Sequence, residues 1–83
     1  MASFEEHQKA AKRLRALGIG AYVVLTNEAG RAGIRMKYPI GEIVGFGDSI
    51  SVWIRKLGQS SRTSYAAGFW QAAPNKLIKC IKS

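Results

Sequence analysis

"GEIVGFGDSISVWIRK", residues 41–56, consists of two segments rich in β-branched residues, separated by the turn-forming sequence Gly-Asp-Ser. In the second segment apolar and polar side chains alternate, which is the period of a half-buried strand. One face of that strand would carry Ile50, Val52 and Ile54, and the other Ser51, Trp53 and Arg55. The stretch therefore predicts a β-hairpin with strands over 42–47 and 50–56 and a tight turn around 47–49.

The glycines at 41, 45 and 47 allow two interpretations, a phosphate-binding loop or a bent strand. A dinucleotide-binding loop needs Gly-x-Gly-x-x-Gly between a strand and a helix, but Ile50 stands where the third glycine belongs and a strand follows. The Gly-Lys-Ser/Thr of a P-loop is also missing. We therefore expect Gly45 to relieve crowding where the strand bends, and Gly47 to adopt positive φ in the turn.

Residues 3–17 predict an amphipathic helix before the hairpin. Ser3 and Glu6 have the spacing of a capping box, which satisfies free backbone N–H groups at a helix start. Apolar residues at helical spacing share one side of this helix, and basic residues share the other. The apolar residues are Phe4, Ala10, Ala11, Leu14 and Leu17, and the basic ones Lys9, Lys12 and Arg13. Gly18 would then end the helix.

The rest of the chain predicts short extended segments with one helical turn. Strands are predicted over 21–26, 61–65 and 76–81, and a single helical turn over 66–70. Residues 34–40 also read as extended, but Pro39 indicates an edge or a loop arm. The chain is therefore expected to form one mainly β (α+β) domain over residues 1–83.

The order of these segments resembles that of SH3-like (KOW/Tudor-type) small β-barrels, including small barrel proteins encoded by bacteriophages. The resemblance covers residues 20–82 and is carried by Gly41-Glu42-Ile43-Val44-Gly45, by Val52-x-Ile54 and by Tyr65-x-x-x-Phe69-Trp70. It implies an N-terminal helix followed by a five-stranded barrel. The helix would then either cover the open end of the barrel or present Lys9, Lys12, Arg13 and Arg15 to phosphates.

One enzyme family with such a barrel is the type II plasmid-borne dihydrofolate reductases, which assemble as tetramers around a pore. Residues 41–45 are similar to a strand of that family, but its site motif Val-Gln-Ile-Tyr has no counterpart. Near the corresponding strand this chain reads Arg62-Thr63-Ser64-Tyr65. His7 is the only histidine and the five carboxylates are scattered, so we expect no enzyme activity and no cofactor, with a reductase as a remote alternative.

The charge of the chain is strongly positive, with 13 Lys and Arg against 5 Asp and Glu and a formal net charge of +8. The first 17 residues contribute +2, and the remaining +6 is spread over residues 18–83. Such a field attracts nucleic acid, acidic protein surfaces or anionic lipid by long-range steering. The distribution favours a basic folded surface over a single disordered basic tail.

Cys80 is the only cysteine, which excludes an intramolecular disulfide and favours a reducing cytoplasm. Between Ile78 and Ile81 it reads as a buried, inert thiol. One cysteine and His7 are too few for a structural zinc site within one chain, so no metal is expected. The start, MASFEEHQKAAKRL, lacks the apolar stretch of a signal peptide. No apolar run approaches the roughly 20 residues of a membrane span.

The outward row of the strand over 50–56 is the best candidate binding site. Trp53, Arg55 and Lys56 combine an aromatic ring with bases, as in proteins that stack a nucleic-acid base and pair its phosphates. The patch could be extended by Arg62 and Tyr65 on the next strand, and rimmed by Arg31, Arg35 and Lys37 in the first long loop. In the alternative interpretation, Trp53 packs beneath the N-terminal helix.

Two functions are consistent with these features. The first is a small basic non-enzymatic protein that binds DNA or RNA through an exposed aromatic and basic face. The alternative is a phage-type inhibitor or adaptor that binds a host protein in the host cytoplasm, because the edges of small barrels accept a partner strand.

Overall fold

The computed structural model describes residues 3–26 and 40–82, which form two helices, five strands and a short 3-10 turn. In chain order these are α1 (Phe4–Leu17), β1 (Tyr22–Leu25), β2 (Ile40–Phe46), β3 (Ser51–Lys56), β4 (Arg62–Ala66), the 3-10 turn (Ala67–Phe69), β5 (Trp70–Ala72) and α2 (Asn75–Lys82). The mixed α+β class is confirmed. The loop over 27–33 and most of the extended segment over 34–40 lie outside the described residues.

The strands form one antiparallel sheet in the order β4-β3-β2-β1-β5. β4 and β5 lie at its two edges, so the sheet of the described residues is open and the closed barrel is not confirmed. The predicted hairpin is β2–β3, in which Phe46 faces Val52. Its turn is held by the Asp48 carboxylate, which accepts a hydrogen bond from the Ile50 N–H at 3.1 Å.

A β-bulge interrupts β2 between Ile43 and Gly45, and leaves Val44 without a partner in the β2–β3 register. The expected bend is therefore present. A Cβ on Gly45 would lie 3.7 Å from the Trp53 side chain, which is an ordinary contact, so lack of space does not require glycine there. The expected positive φ of Gly47 is wrong, since the positive-φ glycines of the described residues are Gly18, Gly20 and Gly58.

Helix α1 covers one face of the sheet. It begins as predicted, with the Ser3 hydroxyl accepting a hydrogen bond from the Glu6 N–H at 3.3 Å, and ends at Gly18 with φ +88°. Its Ala10, Ala11 and Leu14 are buried against Val23, Ile43, Val52, Ile54, Ala67 and Trp70, which form the core. Burial of this apolar face is the main driving force that holds α1 to the sheet.

His7 joins α1 to the 3-10 turn. Its Nδ1 accepts a hydrogen bond from the Gly68 N–H at 3.0 Å, and its ring lies edge-on to Phe69 with centroids 5.2 Å apart. The helical turn predicted over 66–70 is confirmed by this 3-10 turn. His7 thus has a structural partner 61 residues away, which no local pattern indicates.

The last predicted strand, over 76–81, is wrong because this segment is the helix α2. Pro74 sets its start, since the Pro74 carbonyl accepts hydrogen bonds from the N–H groups of Leu77 and Ile78 at 3.0 and 3.1 Å. The fifth strand is formed instead by Trp70–Ala72, which pairs with β1. The prediction of a buried thiol is also wrong, because α2 leaves Cys80 exposed.

We predict that Gly68→Ala destabilises the protein, because a Cβ at this position would overlap the His7 ring. Overpacking of this kind costs about 1–3 kcal/mol of unfolding free energy, measurable by urea denaturation. The control Gly45→Ala, whose Cβ has room, should cost less. In the double variant His7→Ala/Gly68→Ala the two costs should not add, because the clash is gone. Equal stability of Gly68→Ala and the parent chain would contradict this packing.

Candidate nucleic-acid interface

The outer face of the sheet is the face turned away from α1. Val52 and Ile54 are fully buried beneath α1, and successive side chains of a strand point to opposite faces. Trp53 and Arg55 therefore point away from the helix. The interpretation that α1 covers Trp53 is wrong.

Trp53, Arg55 and Arg62 form what we term the outer patch. The register places Trp53 opposite Ser64, and Arg55 opposite Arg62. Trp53 is half-buried and Arg55 and Arg62 are exposed. Strand alternation and the β3–β4 pairing thus bring together three of the residues that the sequence singles out.

Trp53 and Arg62 are in direct contact. The Arg62 guanidinium carbon lies 4.9 Å from the centroid of the indole ring, within the range of a cation–π interaction. On the β2 side the neighbours of the indole are glycines: a Cβ on Gly45 or on Gly47 would lie 3.7 Å from it. Neither position therefore carries a side chain that could pack on the indole from the β2 side.

No protein-family model, curated protein or solved structure matches this chain. The interpretation of the outer patch therefore rests on its own geometry and chemistry. Neither α1 nor α2 has the length and hydrophobicity needed to cross a membrane. Within residues 3–26 and 40–82, no three His, Cys, Asp or Glu side chains come together as a metal site would require.

Arg55 differs from Arg62 in having a carboxylate partner. It forms an ion pair with Glu42, which faces it across the β2–β3 ladder, and its Nη1 donates to the Gln59 carbonyl at 3.5 Å. Glu42 offsets part of the positive charge that Arg55 adds to the outer patch. Glu42 is not among the predicted site residues, although an opposite charge across a hairpin is a signal that the sequence contains.

Lys56 and Tyr65 do not belong to the outer patch. Lys56 pairs with the buried Gly41, and Tyr65 pairs with the buried Val52, so both lie on the α1 side of the sheet. The Tyr65 ring contacts the buried Trp70 edge-on, with centroids 5.3 Å apart. The remaining candidates, Arg31, Arg35 and Lys37, lie outside the described residues.

The turn beside the outer patch carries a carboxylate of its own. Hydrogen bonds from the Ile50 N–H and then from the Ser51 hydroxyl lower the pKa of the exposed Asp48 below its ordinary value of 3.8, with smaller contributions from the Ser51 N–H and the nearby Arg15 charge. Asp48 is therefore ionised at neutral pH. Its carboxylate oxygens accept hydrogen bonds within the turn. Its backbone carbonyl accepts a hydrogen bond from the Arg15 guanidinium.

We predict that acrylamide quenches the fluorescence of Trp53 but not that of Trp70, which is 1% exposed. The Trp53→Phe variant should retain only the buried, weakly quenched emission, and Trp70→Phe only the accessible component. Arg62→Gln should increase quenching, because it uncovers the indole face on which the guanidinium lies. Strong residual quenching in Trp53→Phe would show that the two indoles are not placed as described.

Proposed function

We propose that this chain is a small, non-enzymatic protein that binds single-stranded nucleic acid through the outer patch. A base would stack on Trp53, and Arg62 and Arg55 would pair with the neighbouring phosphates. The observation that carries the proposal is the position of Trp53, on the sheet face away from α1 and in contact with an exposed arginine. The formal charge of +8 adds long-range attraction to any polyanion.

The chemistry of the outer patch favours a single strand over a duplex. An indole on a sheet face can reach only a base that is unstacked, and such bases are presented by single strands, loops and ends. Aromatic stacking tolerates all bases because each has a π face, so modest sequence specificity is expected. Arginine suits the second role, since its planar guanidinium can stack on the ring while its N–H groups reach phosphate oxygens.

The same proposal includes the fold and the setting of the protein. Five consecutive antiparallel strands with β1 between β2 and β5 support an arrangement of the SH3-like, KOW/Tudor kind, whose closure would require the edges β4 and β5 to approach each other. A single cysteine supports a reducing cytoplasm, which would be the host cytoplasm for a phage-encoded protein.

We predict that fluorescently labelled oligothymidine or oligouridine binds the protein at 50 mM salt, and that Trp53→Ala weakens this binding. Stacking of one base on an aromatic ring contributes about 1–3 kcal/mol, which corresponds to a loss of roughly 5- to 150-fold in affinity. Fluorescence anisotropy measures the effect. The matched control is Phe4→Ala, which removes another aromatic ring that is 58% exposed but belongs to α1.

Three outcomes would contradict the proposal. The first is an equal effect of Trp53→Ala and Phe4→Ala. The second is affinity that does not change between low and high salt, since release of counterions from phosphates makes such binding fall with salt. The third is a clear preference for duplex over single strands.

A second candidate function, a module that binds a protein, is supported by the edge strand β4. Thr63 and Ser64 on this strand are exposed, and within the described residues β4 pairs with β3 alone. Such an edge can accept a strand from a partner. Exposed apolar side chains elsewhere, at Leu17, Ile19 and Leu57, would suit further protein contacts.

We predict that a pull-down from bacterial lysate, performed with and without nuclease, separates the two functions. Partners that bind through nucleic acid should be lost after nuclease treatment, and also with Trp53→Ala in untreated lysate. A protein that is retained after nuclease treatment, and is also captured by Trp53→Ala, would favour the protein-binding module. Loss of every partner after nuclease would exclude it.

A further inference from the structure

A second basic feature lies between α1 and the β2–β3 turn. Here a cleft of about 160 Å³ is lined by Gln8, Ala11, Lys12, Arg15 and Ser49, and we term it the α1 cleft. A cavity of about 10–15 Å³ suffices for one water, so the α1 cleft can hold a considerably larger group. Four of its five lining residues have side chains that donate hydrogen bonds, and two of these carry positive charge.

Arg15 is held in a defined position at the α1 cleft. Its Nη2 donates to the Asp48 carbonyl at 3.0 Å, and its guanidinium lies 5.7 Å from the centroid of the Phe46 ring. Neither contact neutralises the charge, since one partner is a carbonyl and the other a π face, but the nearby Asp48 carboxylate offsets part of it. A guanidinium fixed in this way loses little conformational entropy when it binds an anion.

Lys12 and Gln8 lie on the same side of α1 as Arg15, one and two turns earlier. Within residues 3–26 and 40–82, the ion pair is Arg55–Glu42, so the charge of Lys12 is not engaged there. The Asp48 carboxylate in the adjoining turn accepts hydrogen bonds from the turn and keeps its negative charge, which reduces the net positive charge at the α1 cleft without removing it. Ser49, in the β2–β3 turn, lines the α1 cleft from the sheet side and carries a hydroxyl that can donate.

We propose that the α1 cleft binds a phosphate group. A guanidinium, an ammonium, a hydroxyl and an amide facing one small cleft offer charge-assisted donors to an acceptor-only anion. The phosphate could be free or part of a nucleic-acid backbone, because the same donors recognise both.

The position of the α1 cleft links it to the outer patch. Both border the β2–β3 turn: a Cβ on Gly47 would lie 3.7 Å from the Trp53 indole nitrogen, and Ser49, two residues on, lines the α1 cleft. A strand with one base on Trp53 can therefore pass over this turn and place a phosphate between Lys12 and Arg15. The assignment of the phosphate to a nucleic-acid backbone rests on the proposed function, whereas the ability of the α1 cleft to bind an anion does not.

Titration with inorganic phosphate, followed by amide chemical shifts in NMR spectra, tests the α1 cleft directly. We expect saturable shifts at Ala11, Lys12 and Ser49 that are abolished in Lys12→Gln. The matched control is Lys9→Gln, which removes the same charge from the same helix but lies outside the α1 cleft. Absence of saturable shifts at these amides, or equal loss of them in both variants, would overturn the site.

Oligonucleotide binding by the same two variants identifies the source of the phosphate. One single-strand phosphate contact contributes about 5- to 10-fold to affinity at 50 mM salt and about 0.7 to the slope of log K against log salt. Relative to Lys9→Gln, we expect Lys12→Gln to bind about 5- to 10-fold more weakly and to show a salt slope smaller by about 0.7. If oligonucleotides bind through Trp53 but the two variants bind alike, the backbone source is overturned and the proposed function stands. If phosphate binds through Lys12 and no oligonucleotide binds, the α1 cleft holds free phosphate and the proposed function is overturned.

Discussion

The bulge in β2 is the constraint on which the arrangement of both sheet faces depends. Ile43 and Phe46 are three residues apart, yet both pack toward α1, which a regular strand with a period of two cannot achieve. The extra, unpaired residue Val44 shifts the β2–β3 register by one residue, so that Ile43 faces Ile54 and Glu42 faces Arg55. In a regular ladder that continued the Phe46–Val52 pairing, Ile43 would face Arg55, and the apolar and charged rows would be mismatched.

Because the bulge keeps the two rows of side chains in register, β3 contributes residues to both faces of the sheet. Its Val52 and Ile54 complete the core under α1, while Trp53 and Arg55 stand on the outer face. The helix reaches this core closely because its contact residues include Ala10 and Ala11, and because Gly68 leaves space for the His7 ring. A chain of this size has a thin core, so α1 is needed to cover one face of the sheet, while the outer patch lies on the other face.

The parts of the fold predicted from the sequence are those fixed by local chemistry. The Ser3 cap and the apolar spacing determine α1, and the turn at Asp48 with the alternation of β3 determines the hairpin. The strand prediction over 76–81 is wrong although the segment carries a helical signal: Lys76 and Lys79 are three residues apart, and Leu77, Ile78 and Ile81 have the i, i+1, i+4 spacing of an apolar helix face. Pro74 begins this helix, and β5 occupies the edge beside β1 that a last strand would need.

The alternation of side chains along a strand made only part of the candidate site predictable from the sequence. Alternation places Trp53 and Arg55 on one face, but the register across the β3–β4 turn decides that Ser64, and not Tyr65, faces Trp53. Sequence alone does not reveal how the positive charges are held. Arg55 forms an ion pair with Glu42, whereas Arg62 and Arg15 form cation–π contacts with Trp53 and Phe46. An aromatic ring orients a guanidinium without cancelling its charge, and Arg62 and Arg15, held in this way, flank the same hairpin from opposite sides of the sheet.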